Sequence, residues 1–310
     1  MTQSASQSTS QSTSTSTSTS TTAPQSSRII VGIDPSENAA RAADWAAREA
    51  ADRGLALHLV HALGFPAAMN AKAADHYFRA GHQAAEALLN RVGRDLRARY
   101  PDLAITTESS DLPAPEALVA LSRTAQLLVT GTRGHGGFTG MLLGSVSLKV
   151  ASHAHCPVVV VQGGQEADPA QEIVLGVEPY QAGAPIEFAF ATAEALGARL
   201  RVVRAWCPTP AYGGYDYTPD TLARQHEQEA EIAILLKDAR QKHPDVHVRA
   251  VVVCGNTVPT LIEASHGSRL LVVGAHRRTS ALSLGAGYVV QGLLSHSPTP
   301  VAVVPVIPNA

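Results

Sequence analysis

The sequence predicts an α/β protein made of two tandem, doubly wound parallel sheets, and three observations carry that prediction. The first is an internal repeat. Arg28-Ile-Ile-Val-Gly-Ile-Asp34-Pro35 recurs as Glu172-Ile-Val-Leu-Gly-Val-Glu178-Pro179, 144 positions on. Leu127-Leu-Val-Thr-Gly131 recurs as Leu270-Leu-Val-Val-Gly274, and Cys156-Pro-Val-Val-Val-Val161 as Thr299-Pro-Val-Ala-Val-Val304, both 143 positions on. Self-similarity at one offset means a duplicated unit. The second observation is that short β-branched apolar runs alternate with Ala-rich helical stretches, the order of a parallel α/β sheet. The third is that runs such as Ile29-Ile30-Val31 and Val158 to Val161 are apolar at every position, so both faces of the sheet must be covered.

The elements follow in chain order. Residues 1–27 hold 19 Ser/Thr, four Gln and no charged side chain. Such a stretch cannot bury enough surface to offset the entropy of ordering it, and a disordered, solubilising tail is expected. The first domain is expected over 28–162. Its strands fit Arg28 to Asp34, Leu55 to His61, Ala104 to Glu108, Leu127 to Gly131 and Pro157 to Val161; its helices fit Ser36 to Arg53, Lys72 to Arg99, Pro115 to Arg123 and Ser145 to His153. Residues 163–171, with Gly163, Gly164 and Pro169, suit a linker. The second domain is expected over 172–310, with strands near Ile173 to Glu178, Leu200 to Ala205, Val246 to Val253, Leu270 to Gly274 and Val301 to Val304.

Composition narrows the function. Of 310 residues 45% are hydrophobic, enough for packed cores, and only 5% aromatic, so the cores must be aliphatic. No apolar run approaches the roughly 18 residues of a membrane span, and the N-terminus lacks the pattern of a signal peptide, so a cytoplasmic protein is expected. A net charge of −2 leaves no electrostatic footprint for nucleic acid. Cys156, Cys207 and Cys254 are odd in number and widely spaced, which argues against a disulfide framework or a zinc site.

In an open α/β sheet ligands bind beyond the carboxyl ends of the strands, so those ends are the places to inspect. The first strand ends in Asp34. The fourth runs into Gly131-Thr-Arg133-Gly134-His-Gly136-Gly137-Phe-Thr-Gly140-Met-Leu-Leu-Gly144-Ser145, a glycine-rich loop that leads into a helix. Glycines let backbone N–H groups approach an anion, and the helix start adds free donors and partial positive charge. Ser145 can cap that helix and offer its hydroxyl to a phosphate oxygen. The loop is neither a Walker loop, since no Gly-Lys-Ser/Thr follows, nor the dinucleotide fingerprint, which would follow the first strand. Spacing alone leaves two readings open, a phosphate cradle and a set of turns; Asp34 is likewise either a ligand carboxylate or a turn residue that caps the next helix.

The spacing Gly131-x2-Gly134-x9-Gly144-Ser145, about 100 residues after Val31-Gly32-Ile33-Asp34, resembles the nucleotide-binding signature of the universal stress protein family. The resemblance runs from Arg28 to Pro305. It implies Rossmann-like sheets of strand order 3-2-1-4-5 that bind ATP, with Mg²⁺, at the strand ends. Asp34 would contact the ribose side, and the backbone around Val60-His61-Ala62 would meet adenine. Gly131, Gly134, Gly144, Ser145 and the N–H of Val146 would hold the phosphates, with Arg133 adding charge. It further implies a stress-linked regulator that is not an enzyme, with a slow ATPase or phosphotransferase and a nucleotide-free scaffold as rivals. The last strand of each half mediates dimers in the family, so the two halves are expected to pair with each other, and a homodimer would be a further step.

The second half departs from the signature. Aligned without gaps from Gly274 to Pro300, Arg277 replaces the second glycine and Tyr288 the serine, while Glu178 stands in place of Asp34. A degenerate second site is expected, with His276, Arg277 and Arg278 as an alternative anion contact. His153-x-His155-Cys156 has ligand-type residues but no fourth ligand, and His58 and His61 fit packed or loop histidines better than a metal pair.

Overall fold

The computed structural model describes residues 27–64, 71–134, 143–163, 170–178, 183–206, 219–276 and 287–306. The Ser/Thr tail up to residue 26 and most of the linker lie outside these. The first half contains β1 (Arg28–Gly32), α1 (Glu37–Asp52), β2 (Ala56–Ala62), α2 (Ala71–Arg99), β3 (Ile105–Ser110), α3 (Ala114–Leu121), β4 (Leu127–Gly131), α4 (Ser145–His153) and β5 (Val158–Val161). The second contains β6 (Ala170–Gly176), α5 (Gly183–Leu196), β7 (Arg199–Trp206), α6 (Pro219–Leu235), α7 (Lys237–Lys242), β8 (Val248–Cys254), α8 (Thr257–Ser265), β9 (Ser268–His276), α9 (Tyr288–His296) and β10 (Val301–Val306). β6 thus starts inside the expected linker, where Ala170 pairs with Ser268 before a register shift to Ile173–Leu270.

Local chemistry sets the boundaries. Ser36 caps α1 by accepting the N–H of Ala39, and Gly54 closes the helix with φ +63°, a conformation open to glycine at little steric cost. Gly197 repeats that turn after α5, with φ +58°.

The two halves form one ten-stranded sheet of order β3-β2-β1-β4-β5-β10-β9-β6-β7-β8. Each half keeps the order 3-2-1-4-5 with parallel pairing. The halves meet where β5 runs antiparallel to β10, with Val160 opposite Val301 and Val158 opposite Val303. Two strands that would have been apolar edges therefore cover each other.

Successive strand residues feed two cores, as the alternation of a pleated strand demands. Ile29 and Val31 face the layer that contains Trp45, Leu89, Phe190 and Ile232, while Ile30 belongs to the opposite layer, which contains Leu118, Val150, Leu261 and Leu293. Both layers run across the seam between the halves. Among the described residues, no helix is long and apolar enough to cross a membrane.

Candidate functional site

The carboxyl ends of β1, β2 and β4 open into a cleft lined by Asp34, Ala39, Val60, His61, Ala62, Leu118, Gly131, Arg133, Gly134 and Val146, among others. β1 and β4 are neighbours whose following helices pack on opposite faces of the sheet, and the crevice lies where the winding reverses.

Asp34 lies one residue past the end of the ladder, after Ile33 donates its N–H to the Val60 carbonyl at 2.8 Å. Its Oδ1 accepts both the Ser36 N–H at 3.0 Å and the Ser36 hydroxyl at 2.5 Å. The turn reading and the ligand reading of Asp34 are therefore compatible. The turn exists, but Ser36 is the residue that caps α1.

The glycines serve separate purposes. A Cβ at Gly131 would stand 2.8 Å from the backbone carbonyl of Asn38, so this glycine lets α1 lie on the end of β4. A Cβ at Gly134 would stand 2.5 Å from Asp34 Oδ2, so this one lets the loop pass over the carboxylate. The Gly144 N–H donates to the Thr132 carbonyl at 2.7 Å and pins the two ends of the loop together. Gly144 is also the N-cap of α4, which corrects the expectation that Ser145 caps it. Ser145 is already the first helical residue, and no side chain caps the helix. Ser147, two residues further on, donates instead to the Gly131 carbonyl at 2.6 Å. The amides of Ser145 and Val146 sit in the first helical turn, where N–H groups have no intrahelical acceptor. Arg133 and Gly134 are exposed at the cleft mouth. Residues 135–142 lie outside the described residues.

At the end of β2 the three expected residues differ. Val60 is 1% exposed, its side chain is in the core and its carbonyl is taken by Ile33. Alternate residues of a parallel strand turn their backbone groups to the same neighbour. Ala62 therefore turns its N–H and C=O to the β1 side, where β1 has already ended at Gly32, opposite Val60. His61 borders the cleft with its Nδ1 2.7 Å from the Ile33 carbonyl, so Nδ1 carries the proton and donates. Sequence reasoning missed Ala39, Leu118 and Ser147 as cleft residues, and it missed Ser36, which does not line the cleft, as a hydrogen-bond partner of Asp34. A hydroxyl two positions after Asp34 was the available signal for Ser36.

The remaining candidates do not assemble. His153 Nδ1 bonds the Lys149 carbonyl, the His155 N–H bonds Ser122, and Cys156 is buried with its thiol pushed up to about 12 by desolvation. His58 is 6% exposed and bonds Thr106 Oγ1 at 2.8 Å and Glu108 Oε2 at 3.0 Å. Among the described residues no three His, Cys, Asp or Glu side chains could hold a metal ion. In the second half Glu178 and Tyr288 are exposed, and Tyr288 opens α9 after Gly287. Arg277 and Arg278 lie outside the described residues, as does the His276 side chain.

The architecture is that of a tandem doubly wound α/β protein with a strand-end crevice in its first half. The model of the universal stress protein family matches residues 26–162 and again 170–305, and the chain belongs to that family. It is 30% identical to universal stress protein Rv1996 of Mycobacterium tuberculosis over 303 residues, covering 89% of this chain and 94% of the relative. It is 31% identical to universal stress protein Rv2623 of the same organism over 293 residues, covering 89% and 95%. A universal stress protein from Archaeoglobus fulgidus shares the fold with a TM-score of 0.65 at 18% identity, covering 91% of this chain and 99% of that one.

Proposed function

We propose that the first half binds an adenine nucleotide, ATP with Mg²⁺, and that the protein is a cytoplasmic, nucleotide-dependent regulator of the stress response with no catalytic turnover. One observation carries this reading: a carboxylate at Asp34, close-approach backbone at Gly134 and Val146 in the first turn of α4 border one cleft. A polyanion suits the helix start and the loop backbone, and a carboxylate suits hydroxyl groups set away from the phosphates. The Ala62 backbone at the end of β2 offers one donor and one acceptor, which matches the edge of a purine. Mg²⁺ would be held largely by the phosphates and water, with Asp34 as the protein carboxylate nearest the site.

The test is calorimetric titration of the purified chain with ATP and Mg²⁺, with mass spectrometry of what co-purifies. One nucleotide per chain, lost in Asp34→Ala, is the expected result. No heat and no thermal shift with ATP would leave a nucleotide-free scaffold. Steady-state turnover above background, abolished in Asp34→Ala and Gly144→Asp, would make the protein a slow ATPase.

A further inference from the structure

The same three positions meet in each half, and the two sets differ in one hydroxyl. In the first half a Cβ added at Gly32 would stand 3.0 Å from Leu118 Cδ1 and 3.8 Å from Thr130 Cγ2. In the second half one added at Gly176 would stand 2.9 Å from Leu261 Cδ1 and 3.3 Å from Val273 Cγ1. Gly176, Leu261 and Val273 are the repeat counterparts of Gly32, Leu118 and Thr130. Thr130 and Val273 are each 4% exposed. Valine and threonine have nearly the same shape, so packing at this point does not ask for a hydroxyl. The Thr130 hydroxyl oxygen is nevertheless buried and has no hydrogen-bond partner among the described residues. A buried polar group without a partner costs free energy that a valine methyl does not. Thr130 lines the cleft, as do Gly32 and Leu118. One step between staggered wells about Cα–Cβ carries the hydroxyl to the place beside Gly32 that the methyl now holds, with no movement of the backbone.

We infer that Thr130 is a specificity-determining residue of the first half, whose hydroxyl donates a hydrogen bond to a ring nitrogen of a bound purine. This rests on the nucleotide reading of the cleft and goes beyond it, since it names the side chain that reads the base and the kind of atom it reads. The lining places the base. Phosphates belong with Gly134 and the first turn of α4, which leaves the apolar part, with Val60, Ala114 and Leu118, for a flat ring. Thr130 shares that part, because it and Leu118 flank Gly32. The Ala62 backbone, with one donor and one acceptor, suits the adenine edge that carries the amino group. The polar atoms then left on adenine are N3 and N7, which only accept, so the Thr130 hydroxyl is the donor. Val273 gives the second half no such donor.

The experiment measures the affinities of ATP, 3-deaza-ATP and 7-deaza-ATP, in which carbon replaces one ring nitrogen, for the full chain and for Thr130→Val and Thr130→Ser. Thermal unfolding of each chain without nucleotide accompanies it. The wild type is expected to bind one of the two analogues roughly fivefold more weakly than ATP, the equivalent of one neutral hydrogen bond. Thr130→Val, the exchange already present in the second half, should lose a similar factor for ATP and no longer tell ATP from that analogue. Without nucleotide it should melt no lower than the wild type, because it removes a buried hydroxyl that has no partner. Thr130→Ser should retain the discrimination. Unchanged ATP affinity in Thr130→Val, or a lower melting temperature of that variant without nucleotide, would make the hydroxyl structural and overturn the inference while nucleotide binding stands. A wild type indifferent to both ring replacements would overturn it equally. Failure to bind any of the three would remove the nucleotide reading itself, and the inference with it.

Discussion

Arg269, at the start of β9 in the second half, donates from Nη2 to Oε2 of Glu49 on α1 of the first half at 3.2 Å, across 220 positions of sequence. Glu49 is 1% exposed and receives Arg53 Nη1 on its other oxygen at 3.3 Å. Arg269 also holds Asp52, and Arg53 reaches Thr192 of α5 at 3.4 Å. The repeat does not reproduce this network on the other side of the seam. Gln126 stands 143 positions before Arg269 and Ala193 stands 144 positions after Glu49. The halves are therefore joined symmetrically by β5 and β10 and asymmetrically by buried charge.

Loss of Arg269 leaves Glu49 buried with one cation instead of two. Arg269→Met is expected to destabilise the chain by about 2–4 kcal/mol, because stripping a partner from a buried charge costs far more than the intact pair is worth. Gln126→Met, at the exposed counterpart position, should stay within about 0.5 kcal/mol. Urea unfolding of both variants decides the matter; equal midpoints for the two would mean the network contributes nothing.

His58 supplies a pH dependence. Burial pushes its pKa below the ordinary 6.5, outweighing the raising influence of the Glu108 hydrogen bond, and Arg28 lowers it further. A histidine depressed in the fold binds its proton more readily when unfolded, so stability is full above pH 6.5 and falls as the pH drops below that value. His58→Gln should flatten the curve of unfolding free energy against pH on the acid side of 6.5. An unaltered slope in that variant would assign the acid sensitivity to other groups.

The glycines of the loop predict two different failures. In Gly131→Ala the new methyl meets the Asn38 backbone, which cannot move without shifting α1, so the variant should lose about 1–3 kcal/mol of stability. In Gly134→Ala the methyl meets the Asp34 carboxylate at an exposed position, so stability should hold while nucleotide affinity drops roughly tenfold or more. Thermal melts paired with ATP titrations distinguish them, and a stable Gly131→Ala would show that α1 does not need this close approach.

Cys156 should be inert in the native protein. Its thiol is buried and pushed up to about 12, so the thiolate needed for reaction is scarce at neutral pH. In a chain carrying Cys207→Ser and Cys254→Ser, a chromogenic disulfide reagent should label Cys156 only after denaturant is added. Prompt labelling of the folded variant would contradict its burial.

Much of this protein was legible in its sequence. The repeat and the uniformly apolar strands are local signals, set by side-chain periodicity. The candidate site was legible in part. Asp34 and the loop glycines were marked by their place at strand ends, because a parallel sheet dictates where ligands can enter. Their individual duties were not. Gly131 accommodates α1, Gly134 accommodates Asp34 and Gly144 closes the loop, and each duty depends on a neighbour distant in sequence.

Composition, periodicity and the repeat thus determined by themselves that the chain folds as two parallel α/β halves with a crevice at the strand ends. Only the tertiary structure decided that β5 and β10 meet antiparallel with Val160 opposite Val301, that Arg269 locks the halves on one side, and that Ser36 bonds the Asp34 carboxylate. The reason is physical. Backbone preference and hydrophobic pattern act over a few residues, whereas which charge is buried beside which, and which hydroxyl meets which oxygen, is set when distant segments pack.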